Sequence, residues 1–112
     1  MQFNRPRNSD KYEWTNHVFG KMIFYRLTES KIIRVLRNPK RIEEGIAPGT
    51  IAVMQPAGTN RPSEIWVMYQ ELGRGKKRII TAWRYPGVSP IREQIWIPED
   101  IVLELKKEGL IK

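Results

Sequence analysis

Cysteine is absent from all 112 residues, and histidine occurs once, as His17. Without thiols there is neither a disulfide framework nor a thiolate zinc site, so the fold must rest on packing. Metal ligation would fall to carboxylates, yet adjacent acids occur only as Glu43-Glu44 and Glu99-Asp100, a linker pair and a helix start. No metal and no cofactor is expected. The chain also lacks a G-x-S-x-G elbow and a Gly-rich phosphate loop between a strand and a helix, which removes the familiar serine hydrolases and nucleotide-binding folds. No stretch approaches the roughly 18–20 apolar residues of a membrane span, and Met1 to Asp10 is polar with Arg5 and Arg7 and no apolar leader core. The expected setting is the cytoplasm, with no membrane partner. Acid is in deficit: twelve Asp+Glu face twenty Lys+Arg, a formal charge of +8. Such a field attracts polyanions, nucleic acid first, although a solubilising surface charge explains the same count.

A chain of this length fits one ordinary domain. Residues 1–12 read as a flexible basic arm, because Phe3 is the only large apolar side chain before Tyr12. Residues 13–112 read as a single α+β domain. Thr15 or Asn16 can cap a first helix to about Phe24, with Val18, Phe19, Met22, Ile23 and Tyr25 on one side and His17 and Lys21 stacked on the other flank. Thr28 caps a second helix whose buried stripe is Ile32, Ile33, Val35 and Leu36, with Lys31, Arg34 and Arg37 on the solvated face and Asn38-Pro39 as the stop. A polar link through Glu43, Glu44 and Gly45 leads to strands at Thr50 to Gln55, Glu64 to Leu72 and Lys76 to Tyr85, the last two joined by Gly73-Arg74-Gly75. The loop between the first two is too short for a crossover helix, which favours antiparallel pairing. Ile91 to Ile97 is a weaker strand candidate, and Pro98, Glu99 and Asp100 open a C-terminal helix that Lys106, Lys107 and Gly109 close.

What remains for chemistry is a basic set: His17, Lys21, Arg26, Arg78, Thr81, Arg84 and Tyr85. A metal-free ribonuclease uses such groups, since RNA carries its own nucleophile in the 2′-hydroxyl and needs only a base, an acid and cations around the phosphorane. His17 would move the proton, with Lys21 one turn away favouring its neutral form and binding phosphate; a surface histidine near a helix cap is the bland alternative. Strict alternation along the third strand puts Arg78, Ile80, Ala82 and Arg84 on one face and Ile79, Thr81, Trp83 and Tyr85 on the other. If the aromatic face packs inward, Arg78 and Arg84 line an open groove; if outward, Trp83 and Tyr85 can stack bases.

The run His17-Val18-x-x-Lys21-Met22, then Leu27-Thr28, Val35-Leu36-Arg37-Asn38-Pro39 and Glu43-Glu44, resembles a small bacterial domain-of-unknown-function family that is distantly similar to the RelE and BrnT toxins. Arg78-Ile79-Ile80-Thr81-Ala82-Trp83-Arg84-Tyr85 resembles a late strand of that superfamily. The matches cover about Trp14 to Tyr85, with Lys21 where the family has Arg and Tyr25-Arg26 where it has Arg-Gly. The resemblance implies two N-terminal helices packed on an antiparallel sheet of about four strands, here followed by a C-terminal helix. It also implies metal-independent RNA cleavage of the mRNA-interferase type, in a toxin-antitoxin pair with an acidic antitoxin. On that basis His17, Lys21, Arg84 and Tyr85 are the catalytic candidates, and Arg26, Arg78 and Thr81 the nucleic-acid ligands. Two other readings stay open: a non-catalytic RNA- or DNA-binding module, for example on the ribosome, and a domain that docks on an acidic protein.

Overall fold

In a computed structural model, described for residues 4–46, 49–91 and 94–111, the chain is an α+β fold with a five-stranded mixed sheet and three helices. The elements run β1 (Tyr12–Trp14), α1 (Asn16–Tyr25), α2 (Glu29–Arg37), β2 (Arg41–Glu44), β3 (Thr50–Pro56), β4 (Ser63–Gly73), β5 (Lys76–Pro86) and α3 (Glu99–Lys107). The sheet order is β1-β5-β4-β3-β2; β1 pairs with β5 in parallel, and every other neighbour is antiparallel. No helix among the described residues is long and apolar enough to cross a membrane.

Local chemistry accounts for the helix ends. Thr15 Oγ1 accepts from Val18 N at 3.1 Å and donates toward Ile79 and Ile80 O at 3.0 Å, so one hydroxyl caps α1 and ties it to β5. Arg26 closes α1 in the left-handed region (φ 57°), where Gly is the usual occupant, and Leu27 N bonds Met22 O at 2.8 Å before the leucine side chain enters the core. Thr28 Oγ1 accepts from Lys31 N at 3.3 Å at the start of α2, and Ile32 and Val35 bury its inner stripe. Between β4 and β5 the residues Arg74 (φ 55°) and Gly75 (φ 77°) both sit at positive φ, the geometry that matches the twist of a two-residue hairpin.

Two clusters pack on the sheet. Val18, Met22, Ile32 and Val35 of α1 and α2 meet Val53, Val67, Ile79 and Ala82, while Ile101 and Leu105 of α3 meet Met54, Trp66, Met68, Ile80 and Trp83. The indoles of Trp66 and Trp83, directly cross-strand, stack at 5.8 Å with 2° between their planes.

The sheet differs from the expected four antiparallel strands. β2 lies in the segment read as a link: its charged residues suit an edge strand, which needs no second buried face. β1 is a three-residue strand whose partner lies more than sixty residues away, too short for a periodic signal. The arm expected for residues 1–12 is tied down from Arg5 onward. Arg5 donates to Trp14 O at 3.4 Å and lies over the Phe19 ring, Pro6 is buried, and Asn8 Oδ1 accepts from Trp14 N at 2.8 Å. The described residues of 91–97 form no strand. The alternation along β5 also breaks, because Met68 pairs with Thr81 and Tyr69 with Ile79. Ile80 is the extra bulge residue, which sends Ile79 and Ala82 to one cluster and Ile80 and Trp83 to the other.

Candidate functional site

α1 runs beside β5 beyond the end of short β1, and this brings His17 onto Thr81: Nε2 to Oγ1 is 2.8 Å. From the other side α3 aims Asp100, Glu104 and Glu108, spaced four apart and therefore on one helix face, at the same pair of α1 residues. His17 Nδ1 lies 3.4 Å from Glu104 and 3.3 Å from Glu108; Lys21 Nζ lies 3.0 Å from Glu104 and 3.3 Å from Asp100. A carboxylate can only accept, so the ring proton belongs on Nδ1, and Nε2 accepts from the Thr81 hydroxyl. Burial holds the His17 pKa below its ordinary 6.5, with Lys21 adding to the effect and the two glutamates opposing it. For Lys21, burial works against the charge, yet the hydrogen bonds it donates to Glu104 and Asp100, together with their negative charge, outweigh it and hold the pKa above 10.5.

His17 and Thr81, at 6% and 0% exposure, form a closed polar hub joining α1, β5 and α3. Three carboxylates stand there against one ammonium and a neutral imidazole, so the local field repels a phosphodiester. The edge position expected for His17 and Lys21 is corrected by α3, whose docking face no periodicity in α1 announces. Among the described residues no three His, Cys, Asp or Glu side chains are placed to hold an ion.

The other candidates lie apart from the hub. Arg84 donates to Tyr25 O at 2.9 Å and Arg26 O at 3.5 Å, satisfying carbonyls at the C-terminal end of α1, about 12 Å along the helix from His17 at a rise of about 1.5 Å per residue. Arg78 bonds Glu13 at 3.0 Å and Gln70 at 3.4 Å, bridging β1, β5 and β4, and sits about 20 Å along β5 from Arg84. Tyr85 packs edge-on against Trp96, with ring centroids 5.6 Å apart. Arg26 is exposed as a helix cap. His17, Lys21 and Thr81 are thus brought together, while Arg78, Arg84 and Tyr85 do not converge on them. Base stacking on Trp83 is closed as well, since it is wholly buried, as Trp14 and Trp66 nearly are; Trp96 is half exposed.

Two features outside that set stand out. On the outer side of α2, Lys31, Arg34 and Arg37, followed by Lys40, are exposed with no carboxylate within salt-bridge distance among the described residues. The sequence shows the row as the solvated face of an amphipathic helix, though not that it stays unpaired. The second is a buried polar chain. Arg41 Nη1 donates to Ser89 Oγ at 2.8 Å, Ser89 Oγ donates to Glu64 Oε1 at 2.6 Å, and Trp66 Nε1 donates to the same oxygen at 3.1 Å, with the Arg41 guanidinium over the Trp66 ring at 5.3 Å. Its one sequence signal is parity: Glu64 shares a strand face with Trp66 and Met68, which places a carboxylate among core positions. No family model, curated protein or solved structure matches this chain.

Proposed function

We propose that the protein binds single-stranded RNA through the cationic outer face of α2. The carrying observation is the row Lys31, Arg34, Arg37 and Lys40, exposed and without a carboxylate within salt-bridge distance among the described residues, whose helical part spans about 9 Å. Elsewhere the cations are in part spent within the fold: Lys21 on α3 acids, Arg78 on Glu13, Arg84 on helix carbonyls. Lys31 lies in the first turn of α2, whereas Arg34 and Arg37 lie in the last, where they also meet the negative end of the helix dipole. Binding without cleavage fits the site better than a ribonuclease, because a ribose 2′-hydroxyl has no path to an imidazole covered by Glu104 and Glu108. An acidic protein of the antitoxin kind would compete for the same row.

Four phosphate contacts give a slope of about −2.8 in log K against log salt on a single strand, roughly a fifty-fold loss of affinity between 50 and 200 mM. Fluorescence anisotropy with a labelled unstructured RNA measures this. Arg34→Gln/Arg37→Gln removes two contacts and should lower the slope by about 1.4, whereas Lys76→Gln/Lys77→Gln at the hairpin end leaves it in place. An unchanged slope in the α2 variant rejects the assignment.

A further inference from the structure

β2 is the last strand of the sheet, and among the described residues no main-chain group pairs with its outer side. The parity of that edge is fixed. Gly45 N donates to Thr50 O at 2.9 Å, in register with the Arg41 to Glu44 pairing. Hydrogen-bonded pairs recur every second residue in an antiparallel ladder, so Arg41 and Glu43 turn their main-chain groups to β3 and those of Ile42 and Glu44 point outward. Ile42 also leaves its side chain 63% exposed, and a depression of about 510 Å³ lined by Ile42, Glu43, Glu44, Gln94 and Ile95 opens beside the strand. We propose that this edge receives the β2 strand of a second copy, antiparallel and about a two-fold axis through Ile42, to form a weak homodimer. The pairing stands apart from the RNA reading, although Lys40 belongs to both surfaces.

The order of charges selects the axis. Lys40-Arg41-Ile42-Glu43-Glu44 runs basic, basic, apolar, acidic, acidic. Turned about Ile42, the second copy sets its Glu44 opposite Lys40 and its Glu43 opposite Arg41, and the reverse, with the two Ile42 residues as the hydrogen-bonded pair at the centre. An axis through Arg41, Glu43 or Glu44 instead brings like charges face to face. An axis between two residues matches outward main-chain groups with inward ones, which makes no ladder. Charged edge strands ordinarily hold other strands off, and here the same charges admit a reversed copy of themselves. Side chains of a ladder pair share a face, so the axis stands perpendicular to the sheet. Two five-stranded sheets then continue into one, with α1 and α2 of both copies on the same side. Four-residue strands bury far less than the roughly 1,200–2,000 Å² of stable complexes, and a charge of +8 on each copy opposes approach, so the association is weak.

Sedimentation equilibrium of the full chain without RNA, from about 10 µM to about 1 mM, covers the range of small transient contacts. The expected result is a monomer–dimer equilibrium, with the Ile42 amide gaining protection from hydrogen exchange as dimer forms. Lys40→Glu and Glu44→Lys, both at exposed positions, each turn two attractive pairs into repulsive ones and should weaken self-association roughly tenfold or more. Mixed in equal amounts, the two variants again set opposite charges across the axis, and the mixture should dimerise as the wild type does. Ile42→Pro removes only an outward N–H, since the β3 ladder takes the amides of Arg41, Glu43 and Gly45, and should give a monomer whose fold circular dichroism verifies. A wild type that stays monomeric up to about 1 mM overturns the proposal. So does a dimer that either single charge variant forms as tightly as the wild type, because its contact then lies elsewhere.

Discussion

Replacing His17 by Leu tests whether the buried imidazole is a structural hub. The two side chains are close in volume, so the cavity effect is small and the polar loss dominates. Thr81, wholly buried, loses its partner, and an unsatisfied buried hydroxyl costs about 1–3 kcal/mol. Glu104 and Glu108 lose the Nδ1 proton but are 46% and 44% exposed, so water replaces it with little further cost. Thr81→Val produces the mirror defect, stranding the ring nitrogen at a similar cost. With both changes made, the polar pair becomes an apolar contact, and the double variant should be less destabilised than the sum of the singles by about 1–2 kcal/mol. Urea unfolding followed by tryptophan fluorescence measures all three, and for a domain of this size each kcal/mol corresponds to roughly 3–6 °C in Tm. Single-variant costs that add within about 0.5 kcal/mol would refute the hub. RNA affinity should be unchanged throughout, whereas a catalytic His17 would lose about 10²–10⁴-fold in cleavage on substitution.

Because the chain has one histidine, its imidazole resonances can be followed without ambiguity. The titration midpoint should fall below 6.5, with the proton on Nδ1 in the neutral form; a midpoint above 6.5 would mean that Glu104 and Glu108 outweigh burial. A folded pKa below the unfolded value makes the unfolded chain the better proton acceptor. The contribution to stability is therefore complete above pH 6.5 and is lost as pH falls through the folded midpoint, and His17→Leu should remove that part of the pH dependence. Glycine substitutions should diverge by position. Gly45→Ala would put a methyl 2.7 Å from Thr50 Cβ and 3.0 Å from Met68 Sδ, costing about 1–3 kcal/mol in thermal unfolding, while Gly20→Ala on exposed α1 meets nothing within 4 Å and should stabilise by about 0.5–1 kcal/mol.

The features legible in the sequence are those whose causes are local. Thr15 and Thr28 cap helices because each hydroxyl reaches an amide three residues on, and the Arg74-Gly75 turn follows from residues that tolerate positive φ. β3, β4 and β5 announced themselves by long runs of Val, Ile, Trp and Tyr. What escaped depends on distant partners. β1 exists because Lys77, Arg78 and Ile79 offer it an edge, and the Ile80 bulge arises in the pairing with β4 rather than in any preference of isoleucine. The candidate site failed for the same reason. α3 was legible as a helix with an acidic start, but which flank of α1 it would cover was not, and that choice turns Lys21 from a phosphate ligand into the partner of Asp100 and Glu104.

The placement of α3 also bears on whether the His17 hub can serve chemistry transiently. To expose His17 and Thr81, α3 must leave the sheet, uncovering Ile101 and Leu105, both wholly buried, and opening one side of Trp83. At about 1.5–3 kcal/mol for each aliphatic side chain, those two residues alone oppose opening by about 3–6 kcal/mol. The open population is then on the order of 10⁻² to 10⁻⁴, since each 1.4 kcal/mol is a factor of ten. Any cleavage routed through His17 would be slowed by that factor, while the α2 row is exposed at all times. The proposed binding through α2 therefore needs no conformational change, whereas catalysis at His17 would need a costly one, because the acids of α3 cover the flank of α1 from which the histidine points.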